Sequence, residues 1–213
     1  MPKSARFRIL CKELNRLKKQ FIPSISPTGF YSERQLARTL AYRVLAHAEI
    51  ESYLEERVWE VVLNVKRNWD SSRKAHRTLI CLIAFSGQSM DKPPSTLTPT
   101  RGSRTHPEEK VKIDKKLDLA IKSFKRVIDE NHGVKEANIL ALLLPIGIDS
   151  DDLDSSLLAT MNTFGEQRGQ VAHSSATTYR TNQPPDPATE VNTVKQIIQG
   201  LLQVDELINN LMK

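Results

Sequence analysis

Residues 33–69 contain neither glycine nor proline, and Ser32 followed by Gln35 places a capping box at the front of that stretch. The spacing predicts one long helix here, and the rest of the chain has to be arranged around it. Before it, Phe7, Leu10, Leu14, Leu17 and Phe21 recur at helical intervals, and a break with two prolines and a glycine follows over 22–29. After it, helices are expected over 73–85, 108–130, 135–144, from 149 through 164 with a continuation over 166–175, and 188–211. Pro145 closes the third of these, and Asn131-His132-Gly133 stops the second. No stretch reads as a strand. With 6% aromatics and 8 glycines in 213 residues, a sandwich or barrel is excluded. The expected fold is an all-α bundle.

Residues 86–107 are rich in proline, serine and threonine, without an apolar period, and read as a long irregular loop. The predicted organisation is a basic N-terminal helix and linker over 1–31, then one helical domain over 32–213. The only cysteines, Cys11 and Cys81, have no paired spacing, which excludes a disulfide framework and a cysteine zinc site and fits a reducing compartment. The chain opens without an apolar signal segment, and its longest apolar runs reach about half of a bilayer span. A soluble, cytoplasmic protein is expected.

The net charge of +6 is uneven. Residues 1–38 hold nine basic side chains and two acidic, a net +7, and the remainder is near −1. Lys12, Arg16, Lys18 and Lys19 lie in this arm, which suits contact with a polyanion such as RNA. It equally suits the solvated face of an amphipathic helix. Arg73, Lys74 and Arg77 read as a solvated face, and Trp59 and Trp69 as core or interface. The acidic run Asp149, Asp151, Asp152 and Asp154 sits where a helix begins and is explained by the helix dipole. The five histidines show no metal-ligand spacing, and no phosphate-loop, zinc-protease or serine-hydrolase motif is present.

One constellation carries chemistry: Phe164-Gly-Glu-Gln-Arg168-Gly-Gln-Val-Ala-His173-Ser. An imidazole that titrates near neutrality moves protons at a 2′-hydroxyl or a leaving oxygen, and a guanidinium holds a phosphate and offsets its growing charge. On a helix the two side chains point about 140° apart and would flank a groove. At a two-fold axis a second copy would bring two such pairs together. Arg101 and His106 have the same separation, inside the irregular loop, where nothing fixes their geometry. The pair Arg168 and His173 differs because an apolar helical run precedes it, although an arginine bonded to a carboxylate and a histidine capping a helix end fit the same residues.

This stretch resembles the Arg-x4-6-His signature of the HEPN superfamily, whose nuclease members are metal-independent ribonucleases. Residues 41–57, Ala-Tyr-Arg-Val-Leu-Ala-His-Ala-Glu-Ile-Glu-Ser-Tyr-Leu-Glu-Glu-Arg, resemble the long early helix of the branch named for its RiboL-PSP association. Gly147-Ile-Asp-Ser-Asp-Asp-Leu-Asp is similar to that branch as well. The motifs lie within residues 33–175. The resemblance implies a ribonuclease that acts as a homodimer in a toxin or defence role, with an antitoxin or defence-system partner. It implies His173 as general acid or base, Arg168 as phosphate holder, and no metal or organic cofactor. Many members carry a polar residue after the arginine, where this chain has Gly169. The alternative is a non-catalytic helical module that binds RNA or protein.

The long helix adds a second clue. Leu40, Val44, Leu54 and Val58 project onto one line, with His47 and Glu51 in its middle. Unpaired burial of such groups is costly, so they either satisfy each other in the core or at a dimer seam, or they face a polar cavity and orient the site's imidazole or guanidinium.

Overall fold

The computed structural model describes residues 2–89, 96, 98, 112–173 and 185–213, the side chains of 172 and 173 excepted. Within them the fold is all-α, with seven helices and no strand. These are α1 (Ala5–Phe21), α2 (Glu33–Ser72), α3 (Arg77–Phe85), α4 (Ile113–Asp129), α5 (Glu136–Leu143), α6 (Ser155–His173) and α7 (Pro187–Leu211). Short 3-10 turns, Leu144–Ile146 and Ser150–Asp152, link α5 to α6. Most of the expected loop at 86–107, with Arg101 and His106, lies outside the described residues.

Helix α2 is the axle, and each of the other six helices packs on it. Its start is the expected capping box: the Ser32 amide donates to Gln35 Oε1 at 2.8 Å, and the Gln35 amide donates to Ser32 Oγ. Its end departs from expectation. The long helix expected over 33–69 runs on through Asp70-Ser71-Ser72, where the Ser71 and Ser72 hydroxyls donate back to the Asn68 carbonyl, at 3.2 and 2.8 Å, and the turn continues. The chain leaves α2 at Arg73, in the left-handed region with φ 56°. Helix α3 therefore starts only at Arg77, where His76 Nδ1 accepts from the Thr78 amide. Trp59 and Trp69 lie half-buried against the core, in keeping with a structural role.

Helix α1 shows its apolar face, Phe7, Leu10, Leu14 and Leu17, to the same apolar core that α2 and α7 line. The expected division at residue 31 therefore does not coincide with a gap in the core. Polar groups tie the two ends of the chain together as well. Asp205 of α7 is fully buried and paired with the equally buried Arg57, Nε to Oδ1 3.1 Å. It also accepts from Tyr53 Oη at 3.0 Å and from the Ser4 amide and hydroxyl at 2.8 and 2.6 Å. Ser4 is in turn the N-cap of α1. One carboxylate thus anchors α1, α2 and α7 together. A second buried pair, Arg43 with Glu190, pins the first turn of α7 to α2.

A buried ion that loses its partner is left uncompensated, which costs about 3–5 kcal/mol. Asp205→Ala is expected to destabilise the fold by that amount in urea unfolding. Asp129→Ala, which breaks only the exposed pair with Lys125, should cost less than about 1 kcal/mol.

Candidate active site

The site is built where α6 crosses α2. His47 and Glu51 stand one turn apart on α2, and Phe164 and Arg168 one turn apart on α6. The Phe164 ring stacks on His47, with centroids 5.8 Å apart and planes 29° apart. That contact fixes the crossing of the two helices, and Arg168, one turn further along α6, acts on His47 and Glu51 through its positive charge. Two close approaches hold α6 in place. A Cβ on Gly165 would lie 2.8 Å from Lys135 Cγ, and one on Gly200 of α7 would lie 2.6 Å from Leu157 Cδ1. Mid-helix glycine is unfavourable by about 1 kcal/mol, and here it admits contacts that no larger residue would.

His47 is 1% exposed. Burial, reinforced by the positive charge of Arg168, pushes its pKa down to about 4, so the imidazole is neutral at pH 7. Its Nδ1 lies 3.5 Å from Glu51 Oε2, outside hydrogen-bond geometry, and has no hydrogen-bond partner among the described residues. The expected His47–Glu51 pair is thus close without being satisfied. The Glu51 carboxyl is raised above its ordinary range, chiefly by burial and then by Glu55, with Arg168 and His132 opposing. Arg168 itself is half-buried. The side chain of His173 lies outside the described residues, so its place relative to Arg168 is not part of this geometry.

Sequence reasoning missed one corner of the site. Asn131 Nδ2 donates to Glu55 Oε1 at 2.7 Å and to the Gly133 carbonyl at 3.1 Å, and its own Oδ1 accepts from Asn138 at 3.0 Å. This clamp fixes the Asn131-His132 corner beside the two glutamates. Only the position of Glu55, one turn beyond Glu51 on the same stripe, hinted at it.

Other expected residues are not brought here. Lys12, Arg16, Lys18 and Lys19 are exposed on α1, and Arg16 pairs with Glu13. Arg6 of α1 bonds Ser52 and Glu56, which lie about 140–180° around α2 from His47. The basic arm therefore covers the flank of α2 opposite the candidate site. Arg73 and Arg77 are engaged with Asp114 and Asp149. Asp154 caps α6, accepting from the Ser156 amide at 2.8 Å. Among the described residues no three His, Cys, Asp or Glu side chains are grouped to hold a metal ion.

The sequence model of RiboL-PSP-HEPN matches residues 5–211. The chain belongs to the RiboL-PSP-HEPN family. The match takes in α1 and α7, which lie beyond the motifs that first suggested HEPN, in agreement with their shared core. No curated protein and no solved structure matches the chain. HEPN membership supports a nuclease or RNA-related role. No described helix is long and apolar enough to cross a membrane.

Two outcomes follow from the HEPN site's geometry. The depressed His47 pKa means the unfolded chain takes up a proton on this imidazole before the folded one does. The stabilisation is complete above pH 6.5 and is lost as pH falls towards 4, up to about 3 kcal/mol at ~1.4 kcal/mol per unit. His47→Phe should flatten the slope of unfolding free energy over that window; an unchanged slope would assign it to other groups. A Cβ on Gly169 meets nothing within 4 Å. Gly169→Ala should therefore raise stability by about 1 kcal/mol in thermal melts, whereas Gly165→Ala should lower it.

Proposed function

We propose that this chain is a metal-independent endoribonuclease of HEPN type, with Arg168 holding the scissile phosphate and His173 moving protons. The observation that carries the reading is the crossing of α6 on α2, where Phe164 stacks on His47 and the positive charge of Arg168 acts on both His47 and Glu51. Arg168 offers a guanidinium beside this face. It can take up a phosphate and offset the charge that builds as the 2′-oxygen attacks phosphorus.

Cleavage needs two proton movements, one from the 2′-hydroxyl and one onto the departing 5′-oxygen. His47, neutral down to about pH 4, is not the imidazolium acid that would protonate the leaving oxygen at pH 7. The imidazole assigned to the reaction is His173. One such group in each chain argues for a homodimer in which a second copy supplies the other across a groove. Glu51 is assigned the role of orienting Arg168, and the cationic α1 that of drawing RNA to the protein, so activity falls as salt rises. The setting that accompanies this chemistry is cytoplasmic, a toxin or phage-defence effector held in check by an antitoxin or another defence-system protein.

Gly169 favours a second reading, a non-catalytic module that binds RNA or protein through the same surface. There is space for a larger side chain at this position, yet the polar residue common after the arginine in HEPN proteins is missing.

Incubation of mixed-sequence RNA with the chain in EDTA separates the two. The ribonuclease reading expects EDTA-resistant cleavage that falls by about a hundredfold or more in Arg168→Ala and in His173→Ala. Glu51→Gln should cut more slowly while melting like the parent. Cleavage indifferent to either substitution would sink the assignment of Arg168 and His173, and binding without cleavage would support the module.

A further inference from the structure

Between the last turn of α1 and the first turns of α7 lies a cleft of about 430 Å³. Ile22, Ile25 and Val191 give it apolar walls, Lys18 and Lys19 stand over it, and Asn192 borders it. Ile25 is 53% exposed, a large apolar side chain left open to water beside two cations. Neither lysine is paired with a carboxylate among the described residues. Arg38, bonded to the Gln20 carbonyl at the end of α1, adds a third positive charge. The acids nearest in sequence are engaged: Glu190 is buried against Arg43, and Asp186 accepts from the Thr189 amide and hydroxyl.

The combination of an apolar wall with unpaired cations above it matches a nucleotide, which has an apolar base face and a phosphate on either side. The volume lies within the range of about 300–1,000 Å³ typical of small-ligand sites and is too small for a docking helix.

We propose that this cleft holds one nucleotide of a single-stranded RNA, its base against Ile22, Ile25 and Val191 and its flanking phosphates on Lys18 and Lys19. The inference rests on the RNA-directed reading above and divides the basic arm. Lys18 and Lys19 make local contacts, whereas Lys12 and Arg16 contribute only long-range attraction.

The test is fluorescence anisotropy of a short labelled single-stranded RNA, with the full chain carrying His173→Ala so that nothing is cut. Lys18→Gln with Lys19→Gln should lower the slope of log affinity on log salt by about 1.4, or 0.7 for each phosphate contact. Asn192→Trp, an exposed position whose new ring crowds the cleft at unchanged charge, should weaken binding about fivefold or more, with the melting temperature preserved. Lys12→Gln with Arg16→Gln should leave affinity within about twofold at moderate salt. Equal losses from both charge pairs, parent-like binding by a folded Asn192→Trp, or no binding by the parent would each overturn the proposal. Competition by polyglutamate as strong as that by RNA would also overturn it, in favour of an acidic protein segment. Cleavage by the unmodified chain is read separately. RNA held in the cleft but left intact removes the nuclease reading alone, and RNA cut while Asn192→Trp binds normally removes the cleft alone.

Discussion

Everything in this fold hangs on α2 being a single uninterrupted helix. Its 40 residues rise about 60 Å, longer than one partner helix can cover, so its faces are wrapped in turn by α1, α7, α6, α5, α4 and α3. A helix covered on so many sides buries some of its polar groups along with the apolar ones. Arg43, His47, Tyr53 and Arg57 are all buried on it, and each finds its own solution. Arg43 and Arg57 take carboxylates from α7, and Tyr53 shares Asp205 with Arg57. His47 instead gives up its charge. Three of the four are structural, and the fourth lies where α6 delivers Arg168.

The parts of the fold that could be read from the chain are those where neighbours in sequence decide the outcome. The Ser32–Gln35 box, the apolar spacing of α1 and the stripe around His47 and Glu51 involve residues within one or two turns of each other. Where distant partners decide, the reading went astray. The hydroxyls of Ser71 and Ser72 suit a helix break as well as a helix continued by bonds to Asn68, and only the surrounding packing chooses. Ser4 and Asp205 are 201 positions apart, so the apolar spacing showed that α1 has a packing face but not the polar tie that fixes it to α7. The Asn131 clamp on Glu55, across 76 positions, escaped for the same reason. Arg168 and the α2 stripe were each legible; their meeting was not, because the Phe164–His47 contact that enforces it joins different helices.

The net charge also changes meaning once the helices are placed. In the sequence the +7 of residues 1–38 is one block that could serve one purpose. In the structure Arg6 is spent on Ser52 and Glu56, Arg16 on Glu13, and Arg38 on the end of α1. Charges so engaged still shape the field at long range but make poor specific contacts, because a phosphate would have to displace an existing partner. Lys18 and Lys19 have no such partner among the described residues, and they are also the two cations that border a concave, partly apolar surface.

The same reasoning about engaged and free charge applies at the Arg168 site. Glu51 is half-buried, and its pKa is raised by burial and by Glu55, so its negative charge is held at a cost that Arg168 and His132 lessen. A phosphate bound near Arg168 would repel Glu51, and a carboxyl whose pKa is already raised takes up a proton in answer more readily than one with a low pKa. Glu55, held by Asn131, supplies the repulsion that keeps Glu51 poised in this way. A neutral His47 adds no positive charge that would bind Glu51 more tightly. Burial of the imidazole and repulsion between the two glutamates, both expensive for the fold, thus act together to give this face a neutral imidazole and a carboxyl that protonates readily.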